Sequence, residues 1–295
     1  MSAWTRASGT GRMKDDMKRK KSAAGRKSPL PAAFVLGVIL AGCLCSGMFA
    51  GKDPAYMDLS HYLAAPCREF WFGTDTMGRD IFSMVWHGGR ISLLVGFCAA
   101  AVATGIAVVL GTLSALAPRW LDALLMRFTE LFLAVPGLLI VIFVQAILGK
   151  PDILSISFAI GITGWPGMAK VVRTEVRQLR GCEFVIAAKC MGGGFFHVLR
   201  QHLAPNFFPS ILFMIVMNIR SAIAAESTLS FMGIGLPLEV VSWGSMLSLA
   251  DNALLSGAWW MILIPGGFLA ATLLCITELA EQLRRRGSRG ASNLT

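Results

Sequence analysis

Six stretches of this chain carry no Asp, Glu, Lys or Arg: residues 28–51, 91–118, 131–149, 153–169, 201–219 and 252–277. That segregation of charge limits the possible folds more than any other feature. A bilayer core is spanned by roughly 20 apolar residues of helix, and these runs are close to that length or longer. Charged residues make up only 15% of the chain and hydrophobic ones 55%, whereas a soluble domain carries about 25% charge. The expectation is an all-α integral membrane protein with about six transmembrane helices. A soluble enzyme built from buried helices is the alternative this pattern disfavours. The run at 153–169 is short and holds Gly161, Gly164 and Pro166, so its limits are the least defined.

The net charge of +10 could point to nucleic acid, but its distribution does not. Nine Lys and Arg lie in the first 27 residues, six more lie between Lys170 and Arg200, and Arg284, Arg285, Arg286 and Arg289 stand near the end. The alternate loops carry only Lys52, Arg68, Arg79, Arg90 and Lys150, and residues 221–257 add almost nothing basic. This is the positive-inside pattern, with both termini expected in the cytoplasm. The division expected is a disordered basic cytoplasmic tail over 1–28, a first helix and outer loop over 29–90, a transmembrane domain over 91–284 and a cytoplasmic tail over 285–295. The basic start followed by an apolar run also fits a signal peptide, but 24 uncharged residues suit a retained first span better. The spans are expected at about 32–50, 91–117, 123–148, 153–172, 207–225 and 258–280, with the apolar stretch 226–257 as re-entrant or interfacial helices. Gly96, Gly105 and Gly111 would let the second span approach its neighbours closely.

Between the fourth and fifth runs lies Glu183–Asn206, EFVIAAKCMGGGFFHVLRQHLAPN. Phe184, Ala187, Ala188 and Met191 recur at helical spacing and share one face. Gly192-Gly193-Gly194 then ends that helix, because three glycines lose too much backbone entropy inside one. Phe195, Val198, Leu199 and Leu203 form a second apolar stripe, and Pro205 is expected to stop it. The bland reading is a loop lying on the membrane surface.

The order Ala187-Ala188, Gly192, Pro205 resembles the EAA coupling loop of permease subunits in bacterial ABC importers, with Ile186 where the leading acid stands, Glu183 three residues earlier, and Leu203-Ala204-Pro205 for the usual ILP. Three further segments are similar to the second permease subunit of dipeptide, oligopeptide and nickel importers. They are Gly73-Thr74-Asp75 with Gly78-Arg79-Asp80; Leu121-Asp122 with Met126-Arg127, Glu130 and Pro136; and Ser230-Phe231-Met232-Gly233-Ile234-Gly235 with Ser242-Trp243-Gly244. The family's closing Asp-Pro is absent here, although Glu281 and Arg284 resemble the ending. The resemblance implies half of a translocation pore for peptides or chelated nickel, worked by alternating access. It also implies a second permease, ATP-binding ABC subunits docked on the loop around Glu183, Ala187, Ala188, Gly192 and Pro205, and an extracytoplasmic solute-binding protein. The location implied is the bacterial inner membrane, among lipid and without nucleic acid.

Other residues can be read on their own chemistry. Thr74 or Asp75 is placed to cap a helix N-terminus, and Asp75, Arg79 and Asp80 could instead, or also, dock an external protein. Arg127 and Glu130, three apart near the inner end of the third span, are expected to form an ion pair at the inner mouth, since a lone charge there costs roughly 2.5–3.5 kcal/mol. Direct substrate contact by Glu130 is the alternative. Arg220 and Glu226 could pair or line the outer mouth. No G-x-x-x-x-G-K-[ST] cradle is present, and Gly25-Arg26-Lys27-Ser28 lacks the first glycine, so ATP would be hydrolysed by another chain. The seven cysteines and four histidines show no metal-ligand spacing, and no cofactor is expected. A membrane enzyme acting on an acidic or lipid-linked substrate would need a catalytic constellation, and none is visible; a membrane scaffold is a third possibility.

Overall fold

The structure, a computed structural model, describes residues 30–49, 52–54, 56–180, 204–237, 239–251 and 256–291. Among them lie eight main helices: α1 Leu30–Leu44, α2 Ile81–Leu116, α3 Arg119–Ala134, α4 Gly137–Leu148, α5 Ile153–Arg180, α6 Ala204–Phe231, α7 Trp243–Asp251 and α8 Trp260–Ala291. No strand occurs among the described residues, and the one isolated bridge pairs Thr74 with Asp80.

Helix α2 is the spine. Its 36 residues extend about 54 Å at 1.5 Å per residue, well beyond a bilayer core of about 30 Å. It begins ten residues before the expected span, because Asp80 caps it and neither His87 nor Arg90 interrupts the helical pattern. Its small residues permit close packing on α5. A Cβ on Gly161 would meet Ala99 O at 2.8 Å, and one on Gly111 would meet Ala169 O at 2.7 Å. Gly96 faces Ile223 on α6, whereas Gly105 faces open space.

The contacts fix the helix directions. Residues 99 and 111 of α2 lie beside 161 and 169 of α5, so these helices run parallel. Ser92 reaches Glu226 near the end of α6, so α6 runs antiparallel to α2. Trp260, at the start of α8, donates to Thr74 O ahead of α2. Asp122, in the first turn of α3, meets Arg173 and Arg177 in the last turns of α5. One end of the bundle therefore gathers residues 56–80, 149–152, 232–237 and 256–258. The α2–α3 corner, the end of α5 and the start of α6 gather at the other.

Three described helical stretches are long and apolar enough to cross a membrane: Ile81–Leu116, Ile211–Phe231 and Trp260–Arg284. The expected third span is not one helix. It is α3 and α4, bent by 92°, and counts as a fourth crossing if the pair is one broken span. Pro136 is the cause. It has no N–H to donate and holds Val135 extended at φ −89°, ψ 131°. Pro166 in α5 and Pro265 in α8 stay inside continuous helices. Helix α1 has 15 residues, about 22 Å, and α5 has 28 but carries several charges in its last turns. Fifth-span helix α6 continues past 225 to Phe231, and the short α7 occupies the stretch expected to be re-entrant or interfacial.

Candidate functional site

Four helices of the bundle, α2, α4, α5 and α6, enclose a cleft of about 370 Å³. Its walls are mostly small or apolar: Ala99, Ala100 and Ala103 from α2, Gly137 and Val141 from α4, Ile160 and Gly164 from α5, Ala222 and Ala225 from α6. Three polar side chains enter it, Thr163, Asn218 and Ser221. Short side chains leave the space that long ones would fill, and three hydrogen-bonding groups give it polar character without a fixed charge. The bend at Pro136 sets Gly137 and Leu138 against the cleft.

One end is built around residues 58–80. Asp75 Oδ1 accepts from the backbone N–H groups of Met77 and Arg79, both at 2.8 Å, and Arg79 Nε donates to Oδ2 at 2.7 Å. Arg79 Nη2 lies 2.7 Å from that oxygen at an angle that makes it a charge contact rather than a hydrogen bond. Both side chains are about 95% buried, at 5% and 3% exposure. Gly78, at φ +72°, makes the turn between them, and a Cβ there would collide with Asp58 O. Thr74 Oγ1 accepts from Ala64 N and donates to His61 O. Asp58 caps the short turn Leu59–His61, and hydrogen bonds from Ser60 and His61 hold its carboxyl below the usual carboxylate range. The residues Asp75, Arg79 and Asp80 thus come together, but the expected cap is corrected. Asp80 caps α2 by accepting from Ser83 N at 3.0 Å, while Asp75 serves the turn before it.

Beside this end, Glu226 is wholly buried. It accepts from Ser92 Oγ at 2.9 Å and Ser230 Oγ at 2.9 Å. Ser92 Oγ also accepts from Trp243 N at 3.3 Å, and the Trp243 indole donates to Val85 O at 2.9 Å. One carboxyl thereby joins α2, α6 and α7. No ion pair links it to Arg220, whose Nε is buried without a hydrogen-bond partner. Six positions of helix turn through about 600°, which separates the two side chains by 120° around α6.

At the opposite end, Asp122 accepts from Arg173 Nε at 2.6 Å, Arg173 Nη2 at 2.7 Å, Arg177 Nη2 at 2.7 Å and Ser114 Oγ at 2.6 Å. Arg127 Nη1 lies 3.3 Å from Glu130 Oε2, with the two side chains 82% and 50% exposed. Glu183, Ala187, Ala188 and Gly192 lie outside the described residues. Pro205 is described and stands in the first turn of α6, where it opens a helix. A missing N–H costs nothing at that position; the stripe it was expected to stop, Phe195 to Leu203, lies outside the described residues. The sequence did not mark Asp122 and Glu226 as the centres of hydrogen-bonded clusters. The only signals were Asp122 beside an uncharged run and Glu226 in a serine-rich one.

The family model described as binding-protein-dependent transport system inner membrane component matches residues 107–286. The dipeptide transport system permease protein DppC of Bacillus subtilis (strain 168) is 37% identical over 258 residues, covering 88% of this chain and 80% of its own length. The oligopeptide transport system permease protein OppC of the same organism is 34% identical over 271 residues, 92% of this chain and 87% of its own. The probable D,D-dipeptide transport system permease protein DdpC of Escherichia coli (strain K12) is 31% identical over 259 residues, 87% and 86% respectively. Matches of this extent, over a multi-pass helical bundle, show that the chain belongs to the peptide ABC importer permease family of binding-protein-dependent inner-membrane components.

Proposed function

We propose that this permease forms half of a pore that imports short peptides by alternating access, with ATP hydrolysed by separate ATP-binding subunits. The observation that carries this reading is the cleft among α2, α4, α5 and α6, apolar with Thr163, Asn218 and Ser221 as its polar groups. A path for varied peptides needs hydrogen-bonding groups that accept many side chains, without a deep charged well that would hold one of them. A second permease completes the pore, and a solute-binding protein delivers cargo at the end carrying residues 56–80. Residues 183–205 form the loop that meets the ATPases, with Ala187, Ala188 and Gly192 at the contact. Arg127 and Glu130 sit at the inner mouth of the path, and both termini lie in the cytoplasm. Supporting that orientation, the basic residues Arg173, Arg177 and Arg284 stand toward the C-terminal ends of α5 and α8, away from residues 56–80.

The deciding experiment places the chain, its partner permease, the ATPases and the binding protein in vesicles and follows ATP-dependent uptake of a labelled dipeptide. Uptake of a nickel chelate with no uptake of peptide would reassign the cargo, and uptake of neither would overturn the importer reading. Gly192→Asp should insert normally but lose ATPase association and uptake. Full uptake by that variant would remove the coupling role from this loop. Cys67 should react with an impermeant thiol reagent from outside sealed cells, and Cys182 and Cys190 only after the membrane is opened.

A further inference from the structure

Asp122 takes four hydrogen bonds from three side chains on two other helices, two of them as a bidentate fork with Arg173. Its side chain is only 11% exposed, whereas Arg177 is 43% exposed. The cluster joins the last turn of α2 through Ser114, the first turn of α3 through Asp122 and the last turns of α5 through the arginines. Helix α5 then runs directly into the segment beginning at residue 181.

The position of Pro166 gives this cluster its significance. A mid-helix proline removes one rung of the backbone ladder and makes that point easy to bend. Displacement applied at the end of α5 would be taken up at Pro166 unless the turns beyond it are held. Met168, Ala169, Val172 and Val176 pack those turns on α2, but sliding apolar contacts are not directional. A bidentate carboxylate–guanidinium fork is directional.

We propose that Asp122 is a positioning residue for transport: it locks the end of α5 to the α2–α3 corner, so that a displacement delivered at the end of α5 moves α2, α3 and α5 together. The fork to Arg173 is the permanent part, and the half-exposed Arg177 is the contact that can exchange between states. This rests on the reading of residues 183–205 as the ATPase contact. Loss of Asp122 uncouples the machine: ATP is still hydrolysed, but α5 bends instead of carrying its neighbours.

The test uses the complete importer in vesicles and measures peptide imported per ATP hydrolysed. The unmodified complex is measured first; if it imports no peptide, the functional reading fails rather than this inference. Asp122→Ala should hydrolyse ATP at a rate within about twofold of the parent while the ratio of peptide to ATP falls at least about tenfold, the scale of one lost charged hydrogen-bonded contact. The exchanged pair Asp122→Arg with Arg173→Asp should restore the ratio to within about threefold. An unchanged ratio in Asp122→Ala would overturn the proposal, as would equal losses of ATP hydrolysis and import. If Asp122→Ala does not assemble, Arg173→Lys, which keeps a charge beside Asp122 but cannot form the fork, is read instead. A ratio lowered with hydrolysis intact supports the lock, and a parental ratio overturns it.

Discussion

At the end carrying residues 58–80, Thr74, Asp75, Arg79 and Asp80 are buried and bonded within the chain, whereas along α3 at the opposite end most side chains stand at the surface. Asp75 and Arg79 are enclosed, Thr74 bonds on both sides, and the indoles of Trp243 and Trp260 reach back to carbonyls of Val85 and Thr74. Along α3, by contrast, only Asp122 and Thr129 are buried, while Trp120, Leu124, Phe128 and Leu131 are at least half exposed. A loop-rich region can hold its shape without regular structure when its backbone groups find partners, and here Leu63, Ala64, Gly73, Thr74 and Asp75 each donate a backbone bond within the region. Helix α3 has the opposite character, with apolar and charged side chains presented together, as on a surface that meets lipid and other subunits. The difference teaches that the first end can be tested as a folded unit of this protein, and the second only in its membrane and complex.

The largest effect expected from that contrast is at Arg79. Arg79→Ala leaves the Asp75 carboxylate enclosed without its cation, which costs about 3–5 kcal/mol. The thermal midpoint of the purified protein in detergent should fall sharply. Asp75→Ala with Arg79→Ala should recover part of the loss, because no buried charge is then left alone. A single-variant midpoint equal to the parent would show that this end is not held by the pair, and the contrast between the two ends would collapse.

A smaller effect is expected at Trp243, which is wholly buried and bridges α7 to α2. Trp243→Phe keeps an aromatic ring but removes the indole N–H to Val85 O, at a cost of about 1–2 kcal/mol. The midpoint should drop measurably while ATP-dependent uptake by assembled complex at moderate temperature persists. An unchanged midpoint would mean that α7 rests on packing alone.

Much of this arrangement was legible because a membrane makes charge placement informative. The uncharged runs marked most of the long helices but not the break between α3 and α4 or the short α7, and Gly73 through Asp80 marked a turn before a helix. Which acid capped that helix was not legible, since Thr74, Asp75 and Asp80 are all good caps; the choice follows from Gly78 turning the chain so that Asp80 reaches Ser83 N. The bend at Pro136 needed only the rule that a proline pushes its predecessor out of helix, yet Pro166 and Pro265 show the same residue inside continuous helices. Packing decides between these outcomes, and sequence periodicity does not carry it. Of the two readings for Arg220 and Glu226, the pair fails on local geometry, because six residues is a poor helical spacing for one. The Asp122 cluster joins residues 51 and 55 positions apart, a juxtaposition that no local pattern reveals.

The smallest effect belongs to Arg127 and Glu130, the exposed counterpart of Asp75 and Arg79. Their 3.3 Å contact is made with the side chains 82% and 50% exposed. In water such a pair contributes at most about 0.5 kcal/mol, because solvent screens the charges and holding two long side chains together loses entropy. Arg127→Ala, Glu130→Ala and the double variant should therefore leave the detergent midpoint within about 0.5 kcal/mol of the parent. Membrane and subunits change the surroundings. If α3 is covered there, each single variant leaves an uncompensated charge in a poorly solvated place, and uptake should fall more in either single variant than in the double. Strictly additive losses of uptake would show that the two residues act separately, and Glu130 would become a candidate for contact with cargo. A large midpoint loss in detergent would erase the distinction drawn here between an end completed within the chain and one completed by its partners.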